Sequence, residues 1–213
     1  MSSRQTMSRE VDLITAGGGN IGSVKRCFQR LGVSCREIDD PAMISGTRPL
    51  VLPGVGAFGS VMVNLEQTGI ANRLRQVVSS GTPYLGICVG LQVLLSDSEE
   101  SPGVRGLDLI KGHVVRFNNG KVPQIGWNKV TRRSPPTTRF LSERGDLNEG
   151  YAYFVNSFYA IPESPDAISY SARYGNVFAA ALSSANITAF QFHPEKSGEF
   201  GIAILEDWLN DVF

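Results

Sequence analysis

The stretch Tyr84-Leu85-Gly86-Ile87-Cys88-Val89-Gly90-Leu91-Gln92 decides how this 213-residue chain is read. Tyr84–Ile87 is a short apolar run bounded by Gly81-Thr82-Pro83, the mark of a buried strand. Val89–Leu95 is apolar again and reads as a helix, so Cys88 stands at a strand-to-helix turn of the form Gly-x-Cys-x-Gly. A nucleophile on such a turn has strained backbone and an exposed side chain. Glycines two residues to either side remove the Cβ atoms that would clash in so sharp a reversal. The helix N-terminus beneath the sulfur favours thiolate, and the Val89 N–H is free to face an oxyanion. The competing reading is a small core residue, since free cysteine is among the most buried types.

Outward from this turn, the first hundred residues alternate strand and helix. Val11–Thr15 is a strand, Asn20 caps a helix with Val24, Cys27, Phe28 and Leu31 on its apolar face, and Gly32 stops it. Val33–Ile38 and Leu50–Leu52 are further strands, the latter running into Pro53-Gly54-Val55-Gly56. A helical stretch over Ser60–Ser79 is broken at Gly69. This alternation predicts a parallel sheet with crossover helices. The second half instead reads as successive strands at Val114–Phe117, Pro123–Val130, Tyr151–Phe158, Val177–Leu182 and Ile187–Phe192, an antiparallel extension of the same sheet. Asp97–Gly103 and Ser134–Thr138 read as loops, Phe200–Phe213 as a closing amphipathic helix, and residues 1–10 as a disordered leader before one domain covering the chain.

Composition narrows the function classes. Lys plus Arg and Asp plus Glu number 20 each, so no general field draws nucleic acid or an anionic membrane. No run approaches the ~20 apolar residues of a membrane span, and the polar start lacks a secretory signal. Three cysteines without an export signal fit a reduced cytoplasmic protein. No Cys/His cluster has metal-ligand spacing, and Ala16–Asn20 lacks both the G-x-G-x-x-G form and the lysine of a phosphate loop, so neither metal nor cofactor is expected.

A nucleophilic cysteine needs a base, and there are two histidines. His113, in Lys111-Gly112-His113-Val114-Val115, has no acidic neighbour nearby in sequence and reads as structural or solvated. His193 ends an apolar strand and is followed by Pro194-Glu195. Residues i and i+2 of an extended chain project to one side, so Glu195 can hold the imidazole while its other nitrogen meets the thiol. Pro194 suits a strand end because it cannot continue a ladder.

Gly86–Gln92 together with Gln191-Phe192-His193-Pro194-Glu195 resembles the class I (triad) glutamine amidotransferases. Further blocks are similar to the glutaminase subunits of imidazole glycerol phosphate synthases: Gly17–Ser23, Leu52–Phe58, Val122–Asn128, Tyr153–Phe158 and Lys196-Ser197, in order along nearly the whole chain. The resemblance implies a three-layer, flavodoxin-like α/β fold with a mostly parallel central sheet and an antiparallel extension. It implies hydrolysis of L-glutamine, with Cys88 attacking, His193 moving protons and Glu195 orienting His193. It assigns Gly54, Val55, Gly56 and Val89 to the oxyanion and substrate, and Gln92, Asn156, Ser157 and Phe158 to holding the glutamine. It also implies a heterodimer with a (β/α)8 cyclase subunit that receives the ammonia, with Asn20, Trp127, Tyr153 and Lys196 at the interface. Taken alone, Trp127 and Tyr153 read as half-buried aromatics and Lys196 as a solvated charge.

The chain departs from the family pattern at Gln124 and Asn156, where histidine is usual, and at Thr15, Gly22 and Leu91. The two missing histidines bear on partner choice and activation, not on the triad. A paralogue feeding ammonia to another acceptor, such as a sugar amidination pathway, is therefore an alternative. A cysteine peptidase or deglycase on a similar fold would share the turn but gives no reason for Pro53–Phe58 or Gln92. A catalytically dead binding subunit would lack a triad member, and all three are present.

Overall fold

Leu50–Gly54 (β3) and Tyr84–Cys88 (β4) are buried at every position because each has parallel neighbours on both edges. The computed structural model describes residues 9–15, 21–54, 56–133 and 145–213. Asn20, Val55, the leader and the Ser134–Thr138 loop lie wholly or largely outside them. Around β3 and β4 run Glu10–Ile14 (β1), Ser34–Ile38 (β2) and Ile187–Phe190 (β12), giving the parallel order β2-β1-β3-β4-β12. The sheet continues antiparallel through Asn176–Ser184 (β11), Ile168–Tyr174 (β10), Gln124–Arg132 (β7) and Glu149–Asn156 (β8). Among the described residues the large sheet thus has nine strands, five of them parallel.

Helices Ile21–Arg30 (α1), Phe58–Gln67 (α2), Ile70–Ser79 (α3) and Gly198–Val212 (α5) carry the flanking apolar faces. Gly69 breaks α2 from α3 as expected, at φ 77°, a left-handed conformation that glycine adopts without steric penalty. α2 has no cap from its own Ala57. Its first donors go instead to Glu100 and Ser101, at 2.7 Å from Phe58 N and 3.0 Å from Gly59 N.

Three readings of the sequence need correction. The helix after Cys88 is only Val89–Gln92 (α4), because the backbone N–H of Leu107 takes the Val93 carbonyl and those of Leu109 and Ile110 take that of Leu94. One turn sums few peptide dipoles, so the charge it brings to the sulfur is small. Val114–Phe117 does not extend the large sheet: Gly112–Arg116 (β6) joins Asp97–Ser98 (β5) and Phe158–Pro162 (β9) in a separate three-stranded sheet. Tyr151–Phe158 is accordingly two strands, since at Ser157 the chain leaves β7 for β6. The alternation of side chains carries no mark of a change of partner. Strand β10 and the short β5 within the acidic loop were not legible either.

Register places the chemistry. Gly54 pairs with Cys88, and Ile87 with Phe190, so the ends of β3, β4 and β12 finish level. The crevice beyond the carboxyl ends of parallel strands is where α/β sheets hold ligands.

Candidate active site

Cys88 has φ 56° and ψ −107°, a conformation that costs a non-glycine residue about 1–3 kcal/mol. Its surroundings over-determine it. A Cβ at Gly90 would overlap the Leu52 carbonyl oxygen, and one at Gly86 would stand 2.5 Å from that of Gly90. The Tyr84 hydroxyl donates to the Gly90 carbonyl at 2.8 Å, tying the start of β4 to the turn at its end. A Cβ at Gly54 would press on Val89 at 2.9 Å. Gly54 therefore packs beneath the turn and does not line the cavity above it, contrary to the part expected of it at the substrate.

His193 follows β12 and has the Cys88 thiol on one side, close enough to raise the imidazole pKa. Its Nδ1 lies 2.9 Å from Glu195 Oε1 on the other. Both side chains are buried, 5% and 2% exposed. Burial alone would lower the imidazole pKa. The hydrogen bonds and charges of Cys88 and Glu195 outweigh it and push His193 up to about 9. The remaining carboxylate oxygen, Glu195 Oε2, has no partner among the described residues.

The His193 backbone is pinned at both its N–H and its carbonyl. Its N–H donates to Tyr153 O at 2.9 Å, and the buried Ser197 hydroxyl donates to His193 O at 2.7 Å. That hydroxyl also accepts from Tyr153 N at 2.9 Å, so Ser197 binds the turn after β12 to β8. No residue pattern in the sequence marks Ser197 for this part beyond its place after Lys196.

Cys88 and His193 open into a cavity of about 330 Å³. Gly56, Val89, Gln92, Asn156, Ser157, Phe158 and Lys196 line it, as do Glu100, Pro123 and Val155, which the sequence reading did not single out. Glu100 reaches it from the acidic loop and is visible only in three dimensions. Gln92 is buried and its amide N–H groups are committed inside the protein, to Phe158 O at 3.2 Å and Gln191 Oε1 at 3.1 Å. Asn156 donates to Phe158 O at 3.0 Å, while its side-chain oxygen has no partner among the described residues, nor has that of Gln124, its cross-strand neighbour.

The outer face of β7 and β8 is apolar and open. Ile125 pairs with Val155, and Trp127 with Tyr153; Ile125 is 64% exposed, Trp127 57% and Tyr151 62%. Trp127 meets the Tyr153 ring edge to face at 6.0 Å, and Lys196 Nζ sits 6.0 Å from that ring. Trp127, Tyr153 and Lys196 are thus gathered at one rim. His113 lies elsewhere, exposed on β6 with Asp97 at 2.7 Å, an acidic partner that sequence proximity did not reveal.

Among the described residues no three His, Cys, Asp or Glu side chains are grouped as a metal would require. No helix among them is long and apolar enough to cross a membrane.

The model of the family "Glutamine amidotransferase class-I" matches residues 13–212. The imidazole glycerol phosphate synthase subunit HisH of Methanothermobacter thermautotrophicus is 45% identical over 207 residues, covering 95% of this chain and 98% of that protein. The subunit of the same name from Geobacter sulfurreducens is 39% identical, covering 93% and 97%. Among solved structures, PurLQS from Thermotoga maritima superposes with a TM-score of 0.75 at 18% identity, over 96% of this chain and 99% of that one. A crystal structure described as a glutamine amidotransferase gives 0.73 at 19% identity over 93% and 98%. At these identities the structural likeness speaks for the fold alone.

Proposed function

This chain belongs to the class I glutamine amidotransferase family, and from that premise we propose that it is the glutaminase subunit of an imidazole glycerol phosphate synthase, acting in histidine biosynthesis. The observation that carries the reading is the buried line Cys88–His193–Glu195 at the floor of a cavity built for one small polar molecule.

In this reading Cys88 gives its proton to His193, and the sulfur attacks the side-chain carboxamide carbon of L-glutamine. The tetrahedral oxyanion lies at the Val89 N–H, which as the first donor of a helical turn has no partner within it. Gly56 lines the cavity on that side, and the resemblance assigns Val55 to the same part. When the C–N bond breaks, His193 returns the proton to the nitrogen, and ammonia leaves a glutamyl thioester on Cys88. Water then attacks the thioester, His193 takes its proton, and the S–C bond breaks as His193 passes that proton to the sulfur, giving glutamate and free thiol. Glu195 holds the imidazole by Nδ1 throughout, so that Nε2 meets the sulfur.

Glu100, the one carboxylate among the described residues that line the cavity, supplies the charge for the substrate's α-ammonium group. The unpartnered Asn156 oxygen offers an acceptor for its carboxamide N–H groups. Gln92 acts by holding Phe158 in place as well as by lining the cavity. The cyclase partner covers the rim formed by Ile125, Trp127, Tyr153, Val155 and Lys196, since a contiguous exposed apolar face beside a catalytic cavity fits an interface. Asn20 is assigned to the same interface by the resemblance. Ammonia released there passes to the partner, which forms imidazole glycerol phosphate and the aminoimidazole carboxamide ribotide. The relatives named above favour this acceptor over that of a paralogue.

The test is glutamate release from glutamine, with and without a cyclase subunit and its ribonucleotide ligand. Stimulation by the cyclase that disappears in Cys88→Ala supports both parts. Cys88-dependent hydrolysis that no cyclase stimulates leaves the chemistry and removes the acceptor. Absence of Cys88-dependent hydrolysis in every condition removes the reading.

A further inference from the structure

Gln191 is fully buried, one residue beyond β12, and lies directly under the nucleophile. Its Nε2 is 3.8 Å from Cys88 Sγ, within hydrogen-bond reach for sulfur. The orientation of its amide follows from its neighbours. Gln92 presents one nitrogen to both Phe158 O and Gln191 Oε1, and the Phe158 oxygen is an acceptor only. The Gln92 atom must therefore be the NH2 group, the Gln191 atom facing it must be oxygen, and the Gln191 NH2 is turned to the sulfur. The Gln191 backbone is fixed as well, its N–H donating to Ala180 O at 2.9 Å.

We propose that Gln191 is a positioning residue for the nucleophile, its side-chain N–H stabilising the sulfur anion that is left when Cys88 passes its proton to His193. This rests on the glutaminase reading for its purpose but not for its test.

The sulfur has three polar neighbours with distinct roles. As a thiol it donates toward Val155 O at 3.9 Å or toward His193. As an anion it can only accept, and the donors that face it are the imidazolium and the Gln191 amide. Proton transfer moves one hydrogen from sulfur to Nε2 and leaves the pair on sulfur, so the amide gains strength as an interaction in the ionised state. A neutral amide does this without a second positive charge, which would repel the His193 imidazolium that the proton transfer creates. The other charged groups near the sulfur are His193 with Glu195 behind it, and Glu100 and Lys196 at the cavity wall. Among the described residues none of them is hydrogen-bonded to the Gln191 side chain. The small contribution of the one-turn helix α4 leaves a place for such a donor.

The measurement is the pH dependence of Cys88 alkylation by iodoacetamide, read on the Cys88 peptide by mass spectrometry so that Cys27 and Cys35 do not enter. Gln191→Glu, nearly isosteric but acceptor-only when ionised, is expected to move the midpoint upward by about one pH unit, a roughly ten-fold loss of thiolate below it. Gln191→Met, which removes the donor alone, moves it upward by about half as much. Gln92→Met, which frees the Gln191 amide to rotate, gives a smaller shift in the same direction. Unchanged midpoints in the folded Gln191 variants overturn the proposal. Should both fail to fold, an unchanged midpoint in Gln92→Met overturns it. An upward shift in a protein that hydrolyses no glutamine keeps this role for Gln191 and removes the substrate reading instead.

Discussion

The two halves of the large sheet solve different problems. In β2-β1-β3-β4-β12 the central strands are buried throughout, and Gly54, Gly86 and Gly90 beside Cys88 leave no room for a Cβ. In β11-β10-β7-β8 the last pair is antiparallel, and one face of it holds Ile125, Trp127 and Tyr151 open to solvent. The first half holds a strained cysteine, Cys88, and the second presents a surface. His193 stands at the seam, following the last parallel strand and tied by its backbone to Tyr153 of the edge strand. A rigid half can store strain that a half-exposed one would relax, and an exposed half can meet a partner that a buried one could not.

The sharpest way to break this comparison is to add one methyl group to each half. Gly90→Ala places a Cβ into the Leu52 carbonyl and is expected to cost about 3 kcal/mol or more, or to prevent folding. Gly126→Ala, on β7 at φ 134° with open space around it, is strained only by its backbone and costs about 1 kcal/mol. Urea denaturation of both variants checks the contrast, and equal losses would deny that the halves differ in rigidity.

The catalytic counterpart is Glu195→Gln, expected to lower kcat for glutamine by about 10²-fold with little change in KM. It carries a pH signature. His193 is raised above its ordinary value to about 9, so its contribution to stability is full below about pH 6.5. That contribution is lost as pH rises through about 9. The thermal midpoint of the native chain should therefore fall across that window, and in Glu195→Gln the fall should begin nearer neutral pH.

On the exposed half, Trp127→Ala is expected to weaken cyclase binding by about 2 kcal/mol, roughly 30-fold. It should change the chain's own stability by about 1 kcal/mol or less; calorimetric titration and denaturation together test this. The smallest effect belongs to the His113–Asp97 pair on the small sheet. Asp97 raises the His113 pKa through a hydrogen bond and its charge, but the pair is solvent-exposed. His113→Ala should cost a few tenths of a kcal/mol, only at pH values below the raised pKa, with glutaminase activity unchanged.

Legibility follows the same division. The parallel half was readable because continuous apolar runs, a left-handed Gly69 and the Gly-x-Cys-x-Gly turn each express a local constraint in local residue types. The strand that becomes β8 and β9 was read as one, because a change of pairing partner at Ser157 leaves side-chain alternation intact. The helix after Cys88 was read too long, because a distant segment, 107–110, takes the carbonyls that a longer helix would use. Glu100 reaches the cavity and caps α2 from a loop 42 residues further along the chain, which no spacing rule covers.

By itself the sequence singled out Cys88, His193 and Glu195, which the fold brings together, since two glycines around a cysteine and a His-Pro-Glu at a strand end are local patterns written within a few residues. Tertiary structure alone decided which groups surround the sulfur. Gln191 faces Cys88 because Ile87 is in register with Phe190, and its amide points one way because Gln92 and Phe158 leave it no other. Hydrogen bonds between residues about a hundred positions apart depend on strand register, and register is a property of the packed sheet rather than of any segment in it.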